Sequence, residues 1–235
     1  MIRSMSRTGG TGRARRSVVA VALVAVAALA LGACQPEKPS EGRGTPIRKV
    51  LIVGDSMTFG VFGTTPLLRD AVWTRLKARG VDTRVVGAAG STLVEPWPGR
   101  PSYAELVRTN VASLDPDVVI IQSTLFPGGA DPARHDAYIA ATQRVISLAR
   151  ARGAHVYLVD HHDPREPDVR REKEVAQYIQ AVVAGPGVSH IPLDWWIANC
   201  RGGTVADGWH LSAAGQECHA QAIAVAIDQL KARNG

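Results

Sequence analysis

Residues 49–60 read KVLIVGDSMTFG. The run Val50-Leu51-Ile52-Val53 is apolar without alternation, and Gly54-Asp55 break it. A short apolar run bounded by a breaker reads as a strand buried on both faces. Such strands belong to parallel sheets covered by helices on either side. In open α/β sheets ligands bind beyond the carboxyl ends of the strands. Ser56, the first hydroxyl after the break, therefore stands where chemistry is expected. A serine hydroxyl is a weak nucleophile until a base takes its proton.

The strongest candidate base lies near the far end of the chain, in Asp207-Gly208-Trp209-His210. An Asp and a His three residues apart on a loop can meet. The carboxylate then accepts a hydrogen bond from one imidazole nitrogen and leaves the other to face Ser56. Ser56, His210 and Asp207 would fill the roles of nucleophile, base and orienter. Each also has an ordinary structural explanation: a helix cap, a packed loop histidine and a turn former.

GDSM at residues 54–57 resembles the first block of the SGNH/GDSL hydrolase family, and DGWH at 207–210 resembles its last block, Asp-x-x-His. Two blocks in the right order, at the two ends of one domain, are far more specific than either alone. The resemblance spans roughly residues 48–232. It implies a three-layer α/β/α fold of flavodoxin-like type and a serine hydrolase that cleaves carboxylic esters through Ser56, His210 and Asp207, with no cofactor. The stretch Gly87–Thr92 resembles the second block, whose Gly offers its N–H to the oxyanion. Gly90, followed by Ser91-Thr92, fits that role better than Gly87, a plain turn glycine being the alternative. The backbone N–H groups of Ser56 and Gly90 would then form the oxyanion hole.

The third block departs from the family. The family ends it in Gly-x-Asn, whereas residues 122–127 read Gln-Ser-Thr-Leu-Phe-Pro. Gln122, Ser123 and Thr124 are the candidate replacement donors. Loss of one oxyanion donor lowers the rate by about 10² to 10³.

The alternation of elements predicts the same fold without the resemblance. Expected strands are 81–87, 117–122, 154–160 and 188–193 after the first. Helices are expected over 67–79, 102–114, 131–152, 167–184 and 212–231, and residues 57–66 are expected as a loop. Five strands alternating with helices, without repeats, argue for a doubly wound parallel five-stranded sheet. Trp97 in the loop 95–100, Trp209, and His161 at the carboxyl end of the fourth strand are candidate substrate-lining residues. Trp195-Trp196 suit either stacking on sugars and acyl chains or plugging the sheet edge. His161-His162-Asp163 is not expected to bind metal, because adjacent side chains on an extended segment point opposite ways.

The first 33 residues carry five Arg and no acid, and Val18–Leu31 is apolar. That run is too short for a bilayer span, which needs about 20 residues. A basic segment followed by a short apolar one reads as a secretory signal. Leu31-Gly32-Ala33-Cys34 resembles a bacterial lipobox, so residues 1–33 are expected to be removed and Cys34 lipidated, with ordinary secretion as the alternative. Residues 34–47, rich in Pro and Gly, form a tether, and 48–235 form the hydrolase-like domain. The formal charge of +6 belongs mostly to the leader. The remainder holds 22 basic and 21 acidic residues, so nucleic acid is not an expected partner. Cys200 and Cys218 bracket the Asp207–His210 segment, and in an oxidising compartment they are expected to pair, two buried thiols being the alternative.

Three functional readings follow. The first is an extracytoplasmic, membrane-anchored esterase acting on an acylated glycan, lipid or small ester. The second is an O-acyltransferase that uses the same site on cell-envelope glycans. The third is a non-catalytic glycan-binding surface protein that uses the Trp residues.

Overall fold

Strand β1, Lys49–Gly54, is the strand around which the sheet is built. The computed structural model describes residues 46–59, 67–94, 96–122, 132–159, 177–200 and 210–234, all within the unit Arg43–Gly235. The other strands are β2 (Asp82–Gly87), β3 (Val118–Gln122), β4 (His155–Val159) and β5 (Val188–Ile191). They form one sheet in the order β2-β1-β3-β4-β5, and every pairing is parallel. The helices are α1 (Ser56–Phe59), α2 (Leu68–Lys77), α3 (Tyr103–Leu114), α4 (Pro132–Arg150), α5 over 177–183, α6 (Leu193–Ala198) and α7 (Ala213–Asn234).

The unbroken apolar pattern of β1 follows from its place inside the sheet. Val50 and Ile52 point into a core shared with α2 and α7. Leu51 and Val53 point into the opposite core, shared with α3, α4 and α5. All four are fully buried, each worth about 1.5–3 kcal/mol relative to exposure. β3 repeats the pattern, with Val118 and Ile120 on one side and Val119 and Ile121 on the other. The result is the three-layer α/β/α arrangement expected from the sequence.

The start of β1 is fixed by a carboxylate. Asp117 Oδ2 accepts hydrogen bonds from the N–H groups of Arg48 (2.7 Å) and Lys49 (2.9 Å), which aligns β1 against the approach to β3. Helix α7 is tied to α2 by Arg75, which donates to Glu217 and Gln221, and by Arg79, which donates to Asp228. Such exposed pairs are individually weak. The buried stripe of Ile223, Ile227 and Leu230 on α7 carries most of the packing.

Two elements differ from the sequence expectation. Residues 57–59, expected as the start of a loop, form a turn of helix with Ser56, because Asp55 supplies an N-cap: its Oδ1 accepts from the Met57 N–H at 2.9 Å. β5 stops at Ile191 rather than Leu193. Pro192 has no N–H to donate to a sheet ladder, and Leu193, fully buried, instead begins the short helix α6 that carries Trp195 and Trp196.

His155, at the start of β4, has its Nε2 3.0 Å from Ser189 Oγ. Burial, and then the charges of Arg233 and Arg150, lower its pKa from 6.5 to about 4. The unfolded chain therefore binds a proton that the folded chain refuses. His155 contributes stability that is present above pH 6.5 and is lost as pH falls toward about 4. Urea midpoints measured at pH 7 and at pH 4.5 should therefore separate more in the native protein than in His155→Gln.

Candidate active site

The site is assembled where β1 ends. Gly54 closes the strand because there is no room for a side chain: a Cβ there would collide with the fully buried Thr58. Asp55 follows, 3% exposed. Its backbone carbonyl accepts from the N–H groups of Thr58 and Phe59, at 3.0 Å each. The chain thus turns within two residues, and Ser56 emerges half-buried at the first position of α1.

Tyr103 of α3 lies beneath this turn. Its hydroxyl donates to the backbone carbonyl of Gln122 at 2.6 Å. Burial above all, and next the neighbouring Asp55 carboxylate, hold its pKa well above the usual tyrosine value. The phenol is therefore a permanent hydrogen-bond donor that links the end of β1 to the end of β3. Gln122 is itself fully buried. Strand alternation turns its side chain to the Val118–Ile120 side of the sheet, and neither amide atom has a hydrogen-bond partner among the described residues.

Gly87 and Gly90 differ in what surrounds them. Gly87 ends β2 at a φ of +128°, where a Cβ would collide with the Gly54 carbonyl. It is a packing glycine for β1. Gly90, at a φ of +83°, sits in the turn that follows. Its carbonyl accepts from the Trp97 N–H at 3.1 Å, and the Trp97 indole lies over it, so that a Cβ would come 2.9 Å from the ring. Trp97 nevertheless leaves 65% of its surface exposed. An indole held flat on a backbone glycine and open to solvent is a wall that a ligand can touch.

His210 arrives from the other end of the chain. It lies half-buried, two residues ahead of Ser212, whose Oγ accepts from the Gly215 N–H at 3.2 Å and so opens α7. Leu211 between them is buried and anchors the segment. One turn into α7, the Gln216 side-chain Nε2 donates to the Met57 backbone carbonyl at 3.1 Å, inside the protein and across 159 residues of sequence. This bond ties the helix that follows His210 to the residue that follows Ser56. Neither Gln216 nor Tyr103 was singled out by the sequence, because a Gln in a helix and a Tyr near a helix start are unremarkable until their partners are known.

Cys200 and Cys218 form a disulfide, with Cα atoms 6.2 Å apart. The bridge fixes both ends of the segment that contains 207–210. Asp207, Trp209, His161, Ser123, Thr124 and Cys34 lie outside the described residues, as do the leader and His162-Asp163. Among the described residues no group of three metal-ligating side chains is found.

The GDSL-like lipase/acylhydrolase family profile matches residues 52–218 of this chain. No significant match is found among curated proteins. The fold is similar to the crystal structure of TesA, with a TM-score of 0.60 and 24% identity over 78% of this chain and 99% of that one. It is also similar to a family 3 carbohydrate esterase from Clostridium thermocellum (TM-score 0.56, 20% identity, 80% and 99% covered). A third similar structure is the psychrotrophic esterase EstA from Pseudoalteromonas sp. (TM-score 0.53, 16% identity, 77% and 97% covered).

Two measurements check this geometry. The bridge closes a loop of 18 residues, so Cys200→Ser with Cys218→Ser should lower the unfolding free energy by about 3 kcal/mol in a denaturant titration. Gln216→Ala removes the tie to Met57 and should cost about 1–3 kcal/mol of stability.

Proposed function

We propose that this chain, which belongs to the GDSL-like lipase/acylhydrolase family, is an extracytoplasmic esterase in which Ser56 attacks the ester carbonyl. Family membership makes it an acyl hydrolase of the serine type; the residue roles, substrate and location are our reading. His210 accepts the Ser56 proton and returns it to the leaving alcohol, while Asp207 orients the imidazole and stabilises its charged form. The N–H groups of Ser56 and Gly90 receive the negative charge of the tetrahedral intermediate. Water then releases the acyl group by the same route in reverse. The observation that carries the reading is the buried Gln216–Met57 hydrogen bond, which joins the two segments bearing Ser56 and His210.

The substrate class we favour is an ester on a carbohydrate. An aromatic wall beside the reacting carbonyl suits the apolar face of a sugar ring, and the exposed Trp97 on Gly90 offers one. One of the similar structures is a family 3 carbohydrate esterase. An extracytoplasmic location agrees with the Cys200–Cys218 disulfide, since such bonds persist in oxidising compartments. Cys34 would hold the protein at the membrane by its acyl chains, each buried CH₂ adding about 0.8 kcal/mol.

The test compares hydrolysis of p-nitrophenyl acetate and of an acetylated xylan by the chain, expressed with its own leader, and by its Ser56→Ala and Trp97→Ala forms. Ser56→Ala should lower kcat by about 10⁴–10⁶. Trp97→Ala should raise KM for the xylan more than for the small ester. Equal rates in the native protein and Ser56→Ala would remove Ser56 as the nucleophile.

A further inference from the structure

A second concavity lies on the outer edge of the sheet. A cleft of about 770 Å³ opens to solvent between β5, α6 and the second half of α7. β5 is an edge strand, separated from β1 by β3 and β4. At about 4.8 Å per strand, it runs roughly 14 Å from the strand that carries Ser56 to its turn. The cleft is therefore not the site described above.

Its walls differ in character. On one side α7 presents Ala222, Ala226, Gln229 and Arg233, spaced four, three and four residues apart and so on one helical stripe. On the other side stand Trp195 and Trp196, packed edge to face with ring centres 5.5 Å apart and planes at 87°. Trp196 is half-buried against the core, which fixes the pair, while Trp195 keeps 60% of its surface exposed. Tyr157 lies between the walls. Its hydroxyl donates to the Ala226 carbonyl at 3.0 Å and accepts from Arg233 Nη2 at 3.3 Å. The Arg233 guanidinium is thus steered toward the cleft by a neutral partner. None of the lining residues described is acidic, and Arg233 has no carboxylate partner among the described residues.

An exposed, oriented indole and a guanidinium held by a neutral phenol in one cleft ask for a ligand with an apolar flat face and a carboxylate. A pyranose ring offers C–H groups on one face, which suit an aromatic surface. A carboxylate matches the guanidinium fork with two parallel hydrogen bonds. A fatty acyl chain fits poorly, because its gain comes from apolar area removed from water and this cleft is open, with Ser189, Gln229 and Arg233 on its lining. We propose that the cleft between β5, α6 and α7 binds a carboxylated sugar residue of a glycan, with the ring on Trp195 and the carboxylate on Arg233. It is a binding site separate from the catalytic one and does not depend on the esterase reading. If that reading holds, the cleft would keep a polymeric substrate at the protein while Ser56 acts elsewhere along it.

The test titrates the full chain, in its Ser56→Ala form, with trigalacturonate and with the neutral trisaccharide xylotriose by calorimetry at low salt. Because Ser56 is absent throughout, a failure of the catalytic reading leaves this result untouched. Trigalacturonate should bind at least tenfold more tightly than xylotriose. Arg233→Gln and Trp195→Ala should each weaken it at least tenfold, and Arg233→Lys by less than Arg233→Gln, with thermal midpoints unchanged. Absence of heat with trigalacturonate at millimolar concentration, equal affinity for the two sugars, or binding that survives both substitutions would each overturn the proposal.

Discussion

A strand buried on both faces leaves its residues no choice but to be apolar, and β1 meets that constraint at Val50, Leu51, Ile52 and Val53, each fully buried. The strand can change character only where it leaves the sheet, and there the chain turns within Gly54-Asp55. Gly54 is required because Thr58 folds back onto it. Asp55 is required because the first N–H groups of α1 need acceptors, which a buried position cannot obtain from water. The serine that follows owes its position to these two residues. Gly87 at the end of β2 belongs to the same device, since it lets β2 run close beside the Gly54 carbonyl.

The second half of the site depends on a different kind of contact. β1 and α7 lie at opposite ends of the sequence, and hydrophobic packing of Ile223 and Ile227 brings them into one core. Packing of that sort is non-directional; it does not by itself fix which turn of α7 meets α1. The Gln216–Met57 hydrogen bond supplies the direction. A buried amide bonded to a backbone carbonyl tolerates little sliding, because a slip would strand both groups without water. The disulfide between Cys200 and Cys218 acts on the same helix from its other side. Together they tie the start of α7, which follows His210 in the chain, to α1 and to Cys200.

The Tyr103 hydroxyl links the ends of β1 and β3 in a comparable way. It bonds the Gln122 carbonyl while lying against Asp55. The chain lacks the family's Asn after β3, and this network keeps the end of β3 in register with the serine turn. Trp97 and Trp195 illustrate how the same residue type can serve two places. One is laid over the turn glycine Gly90 that follows β2, and the other is held by a neighbouring Trp at the far edge of the sheet. Their exposure, not their chemistry, separates them from Trp196, which mainly packs.

The sequence alone determined the layers, the number and direction of the strands, and the place of Ser56. These follow from local signals: apolar runs without alternation, breakers after them, and helical periodicity between. It also led to the expectation that Cys200 and Cys218 pair, with two buried thiols as the alternative, and the structure holds the bridge. The sequence placed residues 57–59 in a loop, since a capping Asp is visible only when its carboxylate is seen to turn onto the Met57 N–H. It ran β5 on to Leu193, although Pro192 ends the ladder. Choosing Gly87 as the packing glycine and leaving Gly90 beneath Trp97 required knowing which backbone passes nearby. Gln216, Tyr103 and the cleft at β5 came only from the tertiary structure. Each is defined by a contact between residues far apart in the chain, and periodicity and propensity carry no information about which distant groups will meet.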